Sequence, residues 1–135
     1  MKPLYMLDTN ICIYIAKHHP PAVRARFEQL KPGQIVMSAI TLGELQFGAA
    51  KSNHRLIALA QIEKTLQDVP AEHLGRDAAE AYGEIRAALQ KQGSLISNND
   101  LWIASHAVAL GVTLVTNNER EFRRVAGLTV ENWAK

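Results

Sequence analysis

Short, continuously apolar runs alternate along this chain with longer segments whose apolar residues recur at helical spacing. Such runs occupy residues 4–7, 35–38 and 112–115, and the third is rich in β-branched residues. A strand that is covered on both faces has a continuous apolar run rather than an alternation of apolar and polar residues. Because helical segments lie between them, these runs predict an α/β fold, a three-layer α/β/α sandwich around a central parallel sheet.

The same periodicity predicts the other elements. Helices are expected over residues 11–17, 23–30, 41–50, 55–66, 77–92, 98–110 and 119–125, and short strands over 68–70 and 128–130. Thr41 and Glu44 have the spacing of a capping box at the start of the third helix. One of residues 98–100 is the expected cap of the sixth helix, and Gly111 is its expected end.

Composition restricts the class of protein further. The chain has 135 residues, 47% apolar and 21% charged, so we expect a single globular domain over residues 1–135. Its single cysteine, Cys12, excludes a disulfide framework and a cysteine-based zinc site. No apolar run is long enough to span a membrane, and Asp8 comes too early for a signal peptide. We therefore expect a cytoplasmic protein without membrane contact.

Acidic residues follow the predicted strands at the edge where ligands bind in open α/β sheets. Asp8 follows the first strand, Glu44 lies just beyond the second, and Asp100 begins the helix that leads into the strand over 112–115. Carboxylates gathered in one pocket repel one another, and a divalent cation removes that repulsion. Oxygen ligands without nearby histidine or cysteine favour Mg²⁺ or Mn²⁺. Metal-assisted hydrolysis of a phosphodiester is the chemistry that such a site supports.

Each acid also has a purely local interpretation. Glu44 fits the third position of a capping box, Asp100 fits a helix cap or first turn, and Asp8 fits a turn after a strand. The residues by themselves leave both interpretations open.

Four segments in order carry a resemblance to a known family. They are Met6-Leu7-Asp8-Thr9-Asn10, residues 38–45, residues 99–104 (Asn-Asp-Leu-Trp-Ile-Ala) and residues 115–122, with Glu131-Asn132-Trp133 near the end. Along nearly its whole length the chain resembles the PIN-domain family, and more closely its VapC-type toxin ribonucleases. The resemblance implies the same three-layer sandwich and parallel sheet that the periodicity predicts.

The resemblance also implies a function and a set of partners. It implies a Mg²⁺-dependent endoribonuclease toxin of a type II, VapBC toxin–antitoxin system, with Mn²⁺ as a substitute metal. Such a toxin cuts structured RNA, commonly tRNA in the anticodon loop, and thereby inhibits translation. The expected partners are a VapB-type antitoxin, a second copy of the chain in a homodimer, and operator DNA through the antitoxin alone.

Position by position, the resemblance assigns the site residues. Asp8 and Asp100 match the primary metal ligands, and Glu44 completes the site directly or through water. The fourth family acid is often an Asp where Asn118 stands, so Glu121 is the expected substitute. Supporting roles fall to the remaining matched polar residues, which are Thr9, Asn10, Thr116 and Asn118. Ser97 stands where the family commonly has glycine, so the loop before Asp100 is expected to differ.

Basic residues next to this site are candidate RNA contacts. With the four site acids set aside, the basic excess of the remaining chain rises above its formal net charge of +2. Arg120, Arg123 and Arg124 are the candidates, because a basic rim around an acidic centre suits a polyanion. A solvated arginine face is the alternative, and it applies most to Arg24 and Arg26.

Several apolar positions stay undecided between core and interface. The helical stripe of Leu56, Leu59, Ile62 and Leu66 fits the core, a dimer seam or an antitoxin groove. Tyr82 and Trp102 are expected to pack in the core, and His106 is expected to be a buried histidine with its hydrogen bonds satisfied.

Two other functions remain open. One is a structure-specific DNA nuclease on the same fold, and the other is a non-catalytic interaction module.

Overall fold

The computed structural model describes residues 2–135 and contains a five-stranded sheet in which every paired strand is parallel. The strand order is β3-β2-β1-β4-β5, with β1 at the centre. The strands are β1 (Tyr5–Leu7), β2 (Ile35–Ser38), β3 (Ala71–Glu72), β4 (Thr113–Val115) and β5 (Val130–Glu131). The helices are α1 (Thr9–Lys17), α2 (Pro21–Glu28), α3 (Ala39–Ala50), α4 (Arg55–Asp68), α5 (Gly75–Lys91), α6 (Asn98–Leu110) and α7 (Glu119–Phe122).

Successive residues of the central strands enter two different hydrophobic cores. Met6 and Leu114 pack with residues of α5, α6 and α7, whereas Leu7 and Val115 pack with residues of α1 and α2. Because side chains alternate across a strand, a sheet covered on both faces buries all of them. This explains the continuous apolar runs, and it confirms the predicted three-layer α/β/α sandwich with a central parallel sheet.

Most of the observed element boundaries differ from the predicted ones by a few residues, and those of α6 agree with the prediction. The helix predicted over residues 98–110 is observed as Asn98–Leu110. The strand predicted at 68–70 is wrong by position: α4 continues to Asp68, and β3 is Ala71–Glu72. The last strand likewise lies at Val130–Glu131 rather than 128–130.

Two serines cap the helices that matter for the site, and both were missed. The predicted Thr41–Glu44 capping box is wrong because α3 begins at Ala39, and the Ser38 hydroxyl accepts a hydrogen bond from the Ile40 amide at 3.1 Å. For α6, the cap is Ser97 rather than any of residues 98–100. Gly111 ends α6 in the left-handed region at φ 70°, as predicted.

The fold buries some of the apolar positions that the sequence left undecided and exposes others. In α4, Ile62 is buried and Leu66 packs against the core, whereas Leu56 is 82% exposed. Tyr82 and Trp102 are half-buried and stack on each other with ring centroids 3.8 Å apart, and Tyr82 packs against the core as expected. Within the part of the chain described, no helix has the length and apolar character needed to span a membrane.

Candidate functional site

A small cavity lies beyond the carboxyl end of β1 and collects the three predicted acids. Its volume is about 130 Å³, and Asp8, Glu44 and Asp100 all line it. The other lining residues are Thr9, Asn10, Ile103, Asn118 and Phe122. The acids come from three places in the chain: the β1–α1 junction, the second turn of α3 and the first turn of α6. A parallel sheet brings them together because its strand ends share one edge.

Asp8 is the most buried of these acids, with 5% exposure. It caps α1, since its Oδ1 accepts a hydrogen bond from the Ile11 amide at 3.0 Å. The Thr116 hydroxyl, which follows β4, donates to Oδ2 at 2.5 Å. Both oxygens are therefore oriented, one by the helix that follows Asp8 and one by the neighbouring strand.

The protein environment makes ionisation of these acids costly. Burial raises the pKa of Asp8 to about 6, despite the opposing hydrogen bonds from Thr116 and Ile11, and the negative charges of Asp100 and Glu44 raise it further. Burial also raises the pKa of Asp100, with Glu121 and Glu44 adding repulsion. Of the ion pairs formed between residues 2 and 135, none involves Asp8, Glu44, Asp100 or Glu121. The cavity is thus a negatively charged pit that no basic side chain neutralises.

Glu44 is held by a contact between two helices. The Thr9 hydroxyl of α1 donates to Glu44 Oε1 at 2.5 Å, and Thr9 also lies 3.4 Å from the Thr41 hydroxyl of α3. This contact replaces the local capping role that the sequence left open for Glu44. Thr9, which we expected to support the site, therefore contacts Glu44 directly.

Glu121 joins the site through Asn118. The Asn118 side-chain amide donates to Glu121 Oε2 at 3.3 Å, and the Asn118 backbone amide donates to the Thr116 hydroxyl at 2.9 Å. Thr116 in turn binds Asp8, so a hydrogen-bonded chain links Glu121 to Asp8. Glu121 does not line the 130 Å³ cavity itself. Its influence on Asp100 is electrostatic.

The donor chemistry of this pit fits a hard divalent cation. Its polar atoms include carboxylate and amide oxygens, its lining contains no histidine or cysteine, and the repulsion between its acids is uncompensated. In the conformation described for residues 2–135, no three acidic, histidine or cysteine side chains are arranged closely enough to hold an ion. Two of the acids instead hydrogen-bond to threonine hydroxyls, Asp8 to Thr116 and Glu44 to Thr9.

The three candidate RNA-binding arginines differ in how the fold uses them. Arg123 pairs with Glu119 at 2.9 Å, and Arg124 donates to the Leu95 carbonyl at 3.2 Å in the loop before α6. Arg120 is exposed and makes no side-chain hydrogen bond or ion pair with any residue from 2 to 135. The structure therefore leaves Arg120 as the arginine whose charge faces solvent beside the site.

A set of side-chain hydrogen bonds around the loop after β4 was not predicted from the sequence. The Asn132 amide donates to both Asn117 Oδ1 and Glu119 Oε2 at 3.1 Å. Hydrogen bonds from Lys135, Arg123 and Asn132 lower the pKa of Glu119 to about 2. The Glu131-Asn132-Trp133 segment was a visible signal, but its contact with the loop depends on the β4–β5 pairing.

Known proteins resemble this chain along nearly its whole length. A family model for the PIN domain matches residues 5–128. The chain is similar to Ribonuclease VapC2 of Rickettsia felis, with 42% identity over 133 residues, 98% of this chain and 99% of that protein. It is also similar to the tRNA(fMet)-specific endonuclease VapC of Shigella flexneri, with 44% identity over 130 residues, 96% of this chain and 98% of that protein.

Solved structures agree with these sequence matches. The DNA-bound VapBC of Salmonella typhimurium superimposes with a TM-score of 0.91 and 38% identity, covering 97% of this chain and 98% of that chain. VapBC-1 of nontypeable Haemophilus influenzae gives a TM-score of 0.89 and 40% identity, covering 98% and 99% of the two chains.

Proposed function

Because the chain belongs to the PIN-domain family, and within it to the VapC ribonucleases, we propose that it is a metal-dependent endoribonuclease toxin of a VapBC system. Its proposed substrate is structured RNA, and tRNA is the class of RNA that we favour. The observation that carries this proposal is the cavity in which Asp8, Glu44 and Asp100 meet without a basic partner. A surplus of buried negative charge costs free energy in the apo protein, and a bound cation offsets it.

Mg²⁺ is the proposed metal, with Mn²⁺ able to replace it. Asp8 and Asp100 would hold it, and Glu44 would complete the site directly or through water. A bound Mg²⁺ lowers the pKa of a coordinated water and stabilises charge on a phosphoryl oxygen. Mg²⁺ suits this site because it accepts a few carboxylates and keeps several waters, so a full protein cage is unnecessary.

Hydrogen bonds from neighbouring residues orient the acids of the site. Thr116 and the Ile11 amide fix the Asp8 carboxylate, and Thr9 fixes Glu44. Glu121, held by Asn118, is the proposed fourth acid and assists through its negative charge beside Asp100. Asn10 lines the cavity and is proposed to contact substrate. No covalent intermediate with the protein is required.

Partners follow from the relatives. We propose a VapB-type antitoxin that blocks the site, contact with operator DNA through that antitoxin, and a homodimer of the toxin. The tRNA(fMet) specificity in the name of the Shigella flexneri relative makes that tRNA the first substrate to test. Cleavage of a tRNA in its anticodon loop would remove it from translation.

Cleavage assays with purified protein test the proposal. Labelled tRNA(fMet), other tRNAs and duplex DNA are incubated with the chain in Mg²⁺, in Mn²⁺ and in EDTA. We expect cuts in tRNA with either metal and none in EDTA. Asp8→Asn is expected to lower the rate by about 100-fold or more, as loss of a metal ligand should exceed the effect of losing an outer-shell contact. Asp77→Asn, an exposed acid of α5, is the matched control and should cleave like wild type.

Three outcomes would contradict this proposal in different ways. Undiminished cleavage by Asp8→Asn would remove Asp8 from the site. Preference for duplex DNA would favour the structure-specific DNA nuclease. Absence of both cleavage and Mn²⁺ binding would favour a non-catalytic interaction module.

A further inference from the structure

A buried hydrogen bond joins the two segments of the chain that carry Glu44 and Asp100. His106 Nδ1 lies 2.8 Å from the Ser38 hydroxyl oxygen, across 68 residues of sequence. Ser38 ends β2 immediately before α3, which carries Glu44, and His106 lies on α6, which begins with Asp100 in its first turn. Both side chains are inaccessible, with 0% exposure for Ser38 and 1% for His106.

Ser38 takes part in the geometry of α3 in two ways. Its hydroxyl accepts the Ile40 amide at 3.1 Å and so fixes the residue at which α3 begins. Glu44 follows within two helical turns, so a rotation of the first turn would displace its carboxylate. The same hydroxyl also contacts His106. A shift of Ser38 after loss of that contact would therefore move the start of α3, and with it Glu44.

The buried His106 ring has one nitrogen, Nδ1, in a hydrogen bond of ordinary length with another described residue. Its Nε2 is buried and has no hydrogen-bond partner among residues 2–135, so the expectation of a satisfied histidine is wrong. Burial lowers the pKa of His106 and favours the neutral ring, although the nearby His73 backbone and the Glu72 carboxylate oppose this shift. An unpartnered buried polar atom costs free energy that an apolar residue would avoid. The Nδ1 contact with Ser38 is the specific interaction that a histidine supplies here.

This contact has no polar substitute in the fold. In the described residues, it is the one hydrogen bond between α6 and the segment formed by β2 and α3. The other side-chain hydrogen bonds of α6 run to α5, through Tyr82 and Asn98, or stay within α6 and its cap. A buried hydrogen bond is directional, so it constrains the relative position of two elements more specifically than apolar contacts do.

We propose that Ser38 and His106 are positioning residues that hold α3 and α6 in the register that brings Glu44 and Asp100 into one cavity. The proposal rests on the proposed function for its catalytic readout, but metal affinity tests it without RNA. Neither residue touches the reacting groups. Loss of the contact weakens metal binding because the two acids no longer meet at the spacing that one ion needs.

Mn²⁺ titration by calorimetry tests this proposal on the purified chain. We expect Ser38→Ala and His106→Leu to raise the Kd for Mn²⁺ by about 10-fold, the lower end of the range for outer-shell partners of metal ligands, because both residues act on the acids only through the helices. Tm in EDTA should fall only modestly for His106→Leu, because removal of the buried Nε2 offsets part of the cost of leaving the Ser38 hydroxyl without its partner. Asp8→Asn is the control that abolishes binding.

Ser105→Ala is the matched control for loss of a buried serine hydroxyl. Ser105 is fully buried on α6, and its hydroxyl donates to the Leu101 carbonyl at 2.6 Å within the same helix. We expect it to bind Mn²⁺ like wild type, whatever its effect on Tm. Equal Mn²⁺ affinities for wild type, Ser105→Ala and His106→Leu would overturn the proposal.

A conservative pair keeps the test valid if His106→Leu or Ser38→Ala fails to fold. Asn at position 106 places a polar atom near the Nδ1 position and retains the contact with Ser38, whereas Gln extends its amide toward the Nε2 position. We expect His106→Asn to bind Mn²⁺ several-fold more tightly than His106→Gln, and equal affinities would overturn the proposal.

RNA cleavage against Mg²⁺ concentration separates this proposal from the proposed function. Excess Mg²⁺ should restore most of the rate of His106→Leu. A wild-type chain that binds Mn²⁺ but cleaves no RNA would refute the ribonuclease function alone. A wild-type chain that cleaves RNA, alongside His106→Leu with the same Mg²⁺ dependence, would refute the positioning role alone.

Discussion

Asp8 combines a structural role and an electrostatic role in one carboxylate. As the cap of α1 it satisfies the Ile11 amide, and with Thr116 it connects two strand ends. These hydrogen bonds stabilise the charged form, yet the pKa remains raised because burial and the neighbouring acids outweigh them. At the scale of single residues, the site is therefore organised at the expense of apo-protein stability.

This raised pKa predicts that the apo protein loses stability as pH rises. The folded chain binds the Asp8 proton more tightly than the unfolded chain, whose ordinary value is 3.8, so the contribution is fully present below pH 4 and lost as pH rises through about 6. Asn at position 8 cannot ionise and keeps an acceptor for the Ile11 amide. In EDTA, Asp8→Asn should therefore exceed wild type in free energy of unfolding at pH 7, by at most roughly 3 kcal/mol.

Urea unfolding at pH 4 and pH 7 in EDTA measures this difference. The advantage of Asp8→Asn should shrink at pH 4, where the wild-type carboxyl is largely protonated. Asp77→Asn should show no such pH dependence. An Asp8→Asn protein that is less stable than wild type at pH 7 would contradict the inference that ionised Asp8 destabilises the apo protein.

Among the elements, α6 presents Asp100 and has a defined cap at each end. Ser97 caps its beginning, and Gly111 at φ 70° ends it before β4. The chain can then turn directly into the strand that leads to Thr116. The distance between Asp100 and the β4 end thus depends on where α6 starts and stops.

Gly111 is predicted to stabilise the fold through its backbone alone. A Cβ at position 111 would meet no atom within 4 Å, so the cost of Gly111→Ala comes from the left-handed conformation. We expect a loss of about 1 kcal/mol in the free energy of unfolding. Gly83, exposed in the middle of α5, also has open space around it, and Gly83→Ala should gain about 0.5–1 kcal/mol. Urea unfolding of both variants checks the opposite signs, and a loss in both would point to side-chain crowding instead.

For the whole molecule, the charge distribution places an acidic pit in a chain of net charge +2. A polyanion approaches such a surface through its basic residues, while the acids are the proposed metal ligands. Arg123 already pairs with Glu119, and Arg124 donates to the Leu95 carbonyl. Arg120 is therefore the arginine of the three that is best placed to contact a phosphate.

Arg120→Gln is accordingly expected to weaken binding to all RNAs by a similar factor. One lost phosphate contact should reduce the slope of log affinity against log salt by about 0.7–1. Arg76→Gln, which removes an exposed arginine of α5, is the control and should leave the slope nearer to wild type. Filter binding of tRNA to the Asp8→Asn background over a series of salt concentrations measures both. An unchanged slope for Arg120→Gln would exclude a phosphate contact there.

The sequence by itself determined the α/β class, the parallel sheet and the strand-end positions of Asp8, Glu44 and Asp100. These features were readable because hydrophobic periodicity and strand-to-helix order are local properties of the chain. Helix starts were less predictable, since Ser38 and Thr41 are both good capping residues and only packing chose the first.

Tertiary structure alone decided which side chains meet across long separations. The pairs Thr9–Glu44, Asp8–Thr116 and Ser38–His106 are separated by 35, 108 and 68 residues. No local pattern encodes such pairs, because each depends on how two covered faces of one sheet bring distant elements together. The contact of Arg124 with the Leu95 carbonyl, across 29 residues, is of the same kind, whereas Arg123 pairs locally with Glu119 four residues earlier.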